Sequence, residues 1–173
     1  VLKIYNDILD SKTQKELQKI CEDFDNRDFK NVNYENDNYY VRLFIKQDIL
    51  VDYLNNAKKY LIQNLPYEDT KIIDFDNSVN WINKVSTETN KNDTLHTDKS
   101  ILTLITYLND GFEGGHFIYI DKNKEKKSII PKKNMTIIMN DKLLHKVSSV
   151  SSGVRFSLVT FYTIKKNKNT SLL

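Results

Sequence analysis

Leu17, Ile20, Cys21 and Phe24 recur at helical spacing, and Ser11 with Gln14 is placed ahead of them as a capping box. The pattern predicts an amphipathic helix of about four turns with Cys21 on its buried stripe. A second helix is predicted over 48–65, where Ile49, Leu50, Tyr53, Leu54, Ala57, Tyr60, Leu61 and Leu65 share one side and Pro66 ends it. Between the two, 39–45 alternates as a strand. Beyond Pro66 the period falls to two. Strands are predicted at 71–75, 79–86, 95–98, 101–109, 116–121, 127–130, 135–140, 144–150 and 154–164. Many short strands joined by polar turns describe an α+β, mainly β chain built as a barrel or two-sheet sandwich, with the helices on an outer face. Three of the four glycines fall at Gly111, Gly114 and Gly115, which marks one turn of unusual backbone.

Composition narrows this picture without redirecting it. The 173 residues form one expected domain, 1–173, with helical and strand support over 1–80, a core over about 80–164 and a basic tail at 165–173. Hydrophobic residues at 39% and charged residues at 28% are those of a folded globular chain. A net charge of +3, with basic runs confined to 122–127 and 165–168, gives no groove for nucleic acid, so none is expected as a partner. No stretch is long and apolar enough to span a membrane, and the one cysteine excludes an internal disulfide. A cytoplasmic setting is therefore expected.

The chemistry concentrates in few residues. Of three histidines, His96 and His145 sit with Asp98 in a pattern that offers two imidazoles and one carboxylate. In a strand His96 and Asp98 project to the same face, and such a facial set holds one octahedral metal while leaving positions open. Arg155 lies on a strand whose alternation pairs it with Ser157, opposite Val154, Phe156 and Leu158. The chain has only three arginines, and a planar guanidinium on an inner face matches a carboxylate. Triad and arginine together point to non-haem Fe(II) used with an α-keto diacid. Read alone, each histidine is equally well an ordinary hydrogen-bonded residue, while the alternative for Arg155 is an internal salt bridge to Asp or Glu. His116 alternates away from the triad and is expected not to be a ligand.

From about 95 to 163 the chain resembles the Fe(II)/2-oxoglutarate-dependent dioxygenases, in particular their prolyl 4-hydroxylase-like branch. The resemblance is carried by His96-Thr97-Asp98, the run Leu102 to Asn109, Gly114-Gly115-His116-Phe117, Ile130 to Asn134, His145, and Gly153-Val154-Arg155-Phe156-Ser157. It implies a double-stranded β-helix (jelly-roll) core with two or more amino-terminal helices packed on one sheet. It implies Fe(II) on His96, Asp98 and His145, and 2-oxoglutarate held by Arg155, Tyr107 and Ser157. No further catalytic residue is implied, and ascorbate enters as a reductant. Arg155 stands where collagen-type members carry Lys and oxygen-sensing members carry Arg. The chain departs from the pattern at Thr87, where a tyrosine is common, in the glycine-free stretch 89–93, and at Lys133-Asn134, where Lys-Gly is usual.

The activity implied is hydroxylation of peptidyl proline coupled to decarboxylation of 2-oxoglutarate to succinate. Two other readings stand beside it. One keeps the chemistry and acts on a free amino acid, another protein side chain or a small metabolite. The other is a catalytically silent, cupin-like metal-binding module. The expected partner is accordingly a protein, a peptide or a small molecule.

Overall fold

The computed structural model describes residues 2–25, 33–35, 38–89 and 93–165. It opens with a strand the hydrophobic pattern does not mark, β1 (Leu2–Tyr5), followed by helix α1 (Ser11–Asp25). The helix is capped one residue earlier than the Ser11/Gln14 reading implies. The Asp10 carboxylate accepts the N–H groups of Thr13 at 2.9 Å and Lys12 at 3.1 Å, and its carbonyl accepts that of Gln14 at 2.9 Å. A carboxylate satisfies the orphan donors and also meets the positive end of the helix dipole, which a serine hydroxyl does not.

Two strands, β2 (Asn33–Glu35) and β3 (Asn38–Phe44), lead to the predicted second helix. That helix is divided into a 3-10 turn (Gln47–Leu50) and α2 (Val51–Asn64), and a short α3 (Tyr67–Thr70) follows Pro66. The remaining strands are β4 (Ile73–Ser86), β5 (Leu102–Tyr107), β6 (Glu113–Gly114), β7 (Phe117–Ile120), β8 (Lys126–Ile129), β9 (Thr136–Asn140), β10 (His145–Val147), β11 (Val150–Ser152) and β12 (Val154–Ile164). The strands predicted at 71–75 and 79–86 are one continuous strand, because polar Asp76, Asn77 and Ser78 stay extended within it. The one predicted over 144–150 divides into β10 and β11. That predicted over 95–98 reduces to a single bridge at His96.

Seven strands form the large sheet in the order β1-β9-β5-β12-β4-β3-β2, faced by a small sheet β10-β7-β8 and the pair β11-β6. This is the jelly-roll expected from the sequence, with the amino-terminal helices on the large sheet. Alternation along β12 assigns the two faces. Phe156, Leu158 and Tyr162 join Leu17, Phe24, Tyr53 and Leu61 in the core between sheet and helices. Val159 joins Ile105, Tyr107, Phe117, Ile137 and Met139 between the sheets. The helix side is pinned by a buried polar thread, in which the Tyr53 hydroxyl meets Thr106 Oγ1 at 3.0 Å and Thr106 meets Thr136 at 2.9 Å. Cys21 is buried on the helix side, as its place on the α1 stripe predicts.

Candidate metal and co-substrate site

His96 and His145 are brought together by backbone. Each donates its N–H to the other's carbonyl at 2.9 Å, so the loop bearing His96 is bridged to β10. Their rings lie 4.5 Å apart between centroids. The Nδ1 of His96 is 2.8 Å from the Thr94 carbonyl, and that of His145 is 3.0 Å from the Leu143 carbonyl. A carbonyl only accepts, so Nδ1 carries the proton in both rings and the neutral imidazole's lone pair is at Nε2. Both Nε2 atoms lie 3.9 Å from Asp98 Oδ1.

Asp98 is fixed in turn. Its Oδ2 accepts the Thr103 hydroxyl at 2.6 Å. Because Thr103 spends its one proton there, the Ser100 hydroxyl 2.7 Å away is the donor to Thr103. Burial lowers the His145 pKa below the ordinary imidazole value, outweighing the Leu143 carbonyl and the Asp98 charge that favour the cation. His145 is thus neutral at neutral pH, the form a metal needs. Among the described residues, His96, Asp98 and His145 form the one group of such side chains whose donor atoms lie within 4.8 Å of one another. His116 lies outside it, with its backbone N–H on Ser148 Oγ. Two imidazoles and one carboxylate, each oriented by an outer partner, fit a divalent transition metal.

The second half of the site lies on the inner face of the large sheet. Ser157 stands directly across the ladder from Tyr107, and Arg155 follows on the same face of β12. Arg155 is only 3% exposed, its Nη1 donates to the Gly115 carbonyl at 2.9 Å, and its guanidinium lies 5.8 Å from the Tyr107 ring. Gly115 allows this approach. Its φ is +63°, and a Cβ there would sit 3.2 Å from Arg155 Cδ. The Tyr107 hydroxyl is buried and has no hydrogen-bond partner among the described residues. Burial raises its pKa, partly offset by the charge of Arg155, so it is a neutral donor. A buried guanidinium beside an unsatisfied hydroxyl is suited to an anion such as a carboxylate. Phe117, stacked on His145 at 5.3 Å and packed with Tyr107 in the core between the sheets, links the two halves.

Sequence reasoning missed three residues here. Asn109 brackets Arg155: its Nδ2 donates to the Val154 carbonyl and its Oδ1 accepts the Phe156 N–H, both at 2.8 Å. Thr103 reads as one more polar residue of a strand. Asp93, three positions before His96, has a side chain only 5% exposed. The Lys133-Asn134 departure is accommodated, since Asn134 takes φ +67°, a conformation that asparagine tolerates better than most residues.

Fold and site together define a jelly-roll 2-oxoglutarate-dependent dioxygenase. Residues 81–163 match the model of the 2OG-Fe(II) oxygenase superfamily. No curated protein matches the chain by sequence. Solved structures share its fold. A prolyl-4-hydroxylase from Pseudomonas putida superposes with a TM-score of 0.71 at 14% identity, covering 95% of this chain and 93% of its own. A Trichoplax adhaerens prolyl hydroxylase in complex with a hypoxia inducible factor peptide fragment gives 0.72 at 17% identity, over 99% and 87%. The α-ketoglutarate-dependent epimerase SnoN of nogalamycin biosynthesis gives 0.70 at 10% identity, over 94% and 78%. Among the described residues no helix is long and apolar enough to cross a membrane.

Proposed function

We propose that this chain hydroxylates peptidyl proline, using Fe(II) held by His96, Asp98 and His145 and 2-oxoglutarate anchored by Arg155, Tyr107 and Ser157. The reading is supported by the facial triad, by a buried guanidinium near a tyrosine hydroxyl without a partner among the described residues, and by Phe117, which stacks on His145 and packs with Tyr107. When bound, ferrous iron and the keto acid would activate dioxygen, one oxygen atom going to the unactivated C–H bond and the other to succinate as the acid loses carbon dioxide.

The residues of the chain bind and orient. Arg155 meets the distal carboxylate with a planar fork, while Tyr107 and Ser157 offer it hydroxyl protons. The Thr94 and Leu143 carbonyls keep the two imidazoles facing Asp98, and Thr103 leaves Asp98 one oxygen for the metal. Phe117 and Ile105 keep the compartment apolar, which strengthens each of these electrostatic contacts. We take 1–173 as one domain serving this site, and its single cysteine supports a reducing, cytoplasmic setting.

Proline in a peptide is favoured by the likeness to two prolyl hydroxylase structures, one of them with a peptide bound. The likeness to an epimerase keeps a small-molecule substrate as the second reading. The deciding experiment incubates the protein aerobically with Fe(II), 2-oxoglutarate and ascorbate, offering proline-containing peptides and free L-proline. Mass spectrometry should find one added oxygen on peptidyl proline with matching succinate. Product on the free amino acid alone would favour the second reading, and no succinate under any condition would leave a binding module.

A further inference from the structure

The backbone around the His96–His145 bridge is diverted at its next rung. In a regular antiparallel ladder, the Val147 N–H two residues past His145 would bond the carbonyl of Thr94, two residues before His96. Here that N–H is bonded at 2.7 Å by the Asp93 carboxylate. The Thr94 carbonyl is thereby left to accept Nδ1–H of His96 at 2.8 Å. Lys146 Nζ reaches the Asp93 carbonyl at 3.4 Å, adding a second tie between the same two segments. The remaining carboxylate oxygen of Asp93 lies 3.7 Å from His96 Nδ1.

We infer that Asp93 is a positioning residue for the divalent cation of the triad: by standing in for the Thr94 carbonyl, it lets that carbonyl set the orientation of the His96 imidazole. The inference rests on the metal reading above. Two features set Asp93 apart from an ordinary loop acid. Its side chain is almost fully buried, and it bridges the segments that carry the two histidines. Without it, the Val147 N–H would recapture the Thr94 carbonyl, and the His96 ring would lose the partner that aims Nε2 at Asp98 Oδ1. Its negative charge beside the imidazole further favours a bound dication.

The test titrates Co(II) into the metal-free protein by calorimetry, comparing the parent with Asp93→Asn, Asp93→Ala and His96→Ala. Removing an outer partner typically weakens metal binding about 10–100-fold, and that loss is expected for Asp93→Ala. Asp93→Asn keeps an oxygen acceptor for Val147 and should lose less than about tenfold. The His96 Nδ1 proton, followed by nuclear magnetic resonance in the metal-free protein, gives an independent readout, with protection from exchange retained in Asp93→Asn and lost in Asp93→Ala. Co(II) affinity in Asp93→Ala within about twofold of the parent would overturn the inference, as would equal losses in both variants. If His96→Ala binds Co(II) as tightly as the parent, the metal reading falls and takes this inference with it. A weakened His96→Ala beside an unaffected Asp93→Ala removes the inference alone.

Discussion

His96 and His145 obey one bonding rule on opposite strands of a single bridge. Each ring gives its Nδ1 proton to the carbonyl two residues earlier in its own chain segment, Thr94 for one and Leu143 for the other. The two rings are therefore set by local backbone and matched by the 2.9 Å exchange between their main chains. His96→Ala removes a half-exposed ring and leaves the bridge. It should abolish Fe(II)-dependent succinate formation while moving the thermal midpoint of the metal-free protein only slightly, since little packing is lost. Retained turnover in this variant would exclude His96 from the metal.

Arg155 offers a graded test of the co-substrate site. Arg155→Lys keeps the charge but loses the fork that reaches Gly115 and faces Tyr107, so 2-oxoglutarate binding should weaken yet persist. Arg155→Ala should cost about 2–5 kcal/mol of 2-oxoglutarate affinity, as expected when a desolvated charge pair loses one partner. Calorimetry on the metal-loaded proteins would show the ranking, and equal affinity in all three would refute the assignment.

Asn109→Ala probes the strand that carries the guanidinium. The change deletes two 2.8 Å bonds on either side of Arg155, at a stability cost of about 1–3 kcal/mol. Because the triad is built on other segments, Co(II) affinity should hold while KM for 2-oxoglutarate rises. A parallel fall in both would instead signal general loosening of the sheet.

Asp10 gives a pH-dependent prediction far from the site. Burial alone would raise its carboxyl, but the N–H and hydroxyl of Thr13 and the N–H of Lys12 outweigh it and hold the pKa below the ordinary value. A depressed carboxyl stabilises the fold above the ordinary carboxylate range, and that contribution is lost as the pH falls through the folded-state pKa. Asp10→Ala should therefore cost about 1 kcal/mol at neutral pH. Thermal midpoints of parent and variant should converge as the pH is taken below the ordinary aspartate range. A constant gap across that range would contradict the capping role.

What could be read from the sequence follows from how locally each feature is encoded. Strand β12 was legible over 154–164 because Arg155 and Ser157 interrupt an apolar alternation that only one register explains. The metal candidates were legible as residue types, and their approach required only that two segments meet. Strand β1 escaped because its four residues take their meaning from pairing with β9, more than 130 positions away. Asp93 escaped for the same reason. It sits in a polar stretch that reads as a loop, and its partner Val147 is 54 residues further on. The Asp10 cap was misassigned by one residue, since Asp10 and Ser11 are both acceptable caps and only geometry chooses between them.

The two-faced character of β12 ties correct folding to activity in a way stability alone does not. A slip of one residue against β4 and β5 would exchange Arg155 and Ser157 for Phe156 and Leu158, sending a guanidinium into the helix-side core and an aromatic ring toward the keto acid. Such a chain would keep its strand content and, on the proposed function, lose its hold on the keto acid. Odd and even positions of this one strand thus act as a proofreading device, because the register that turns Arg155 and Ser157 inward is also the one whose burial the helices reward.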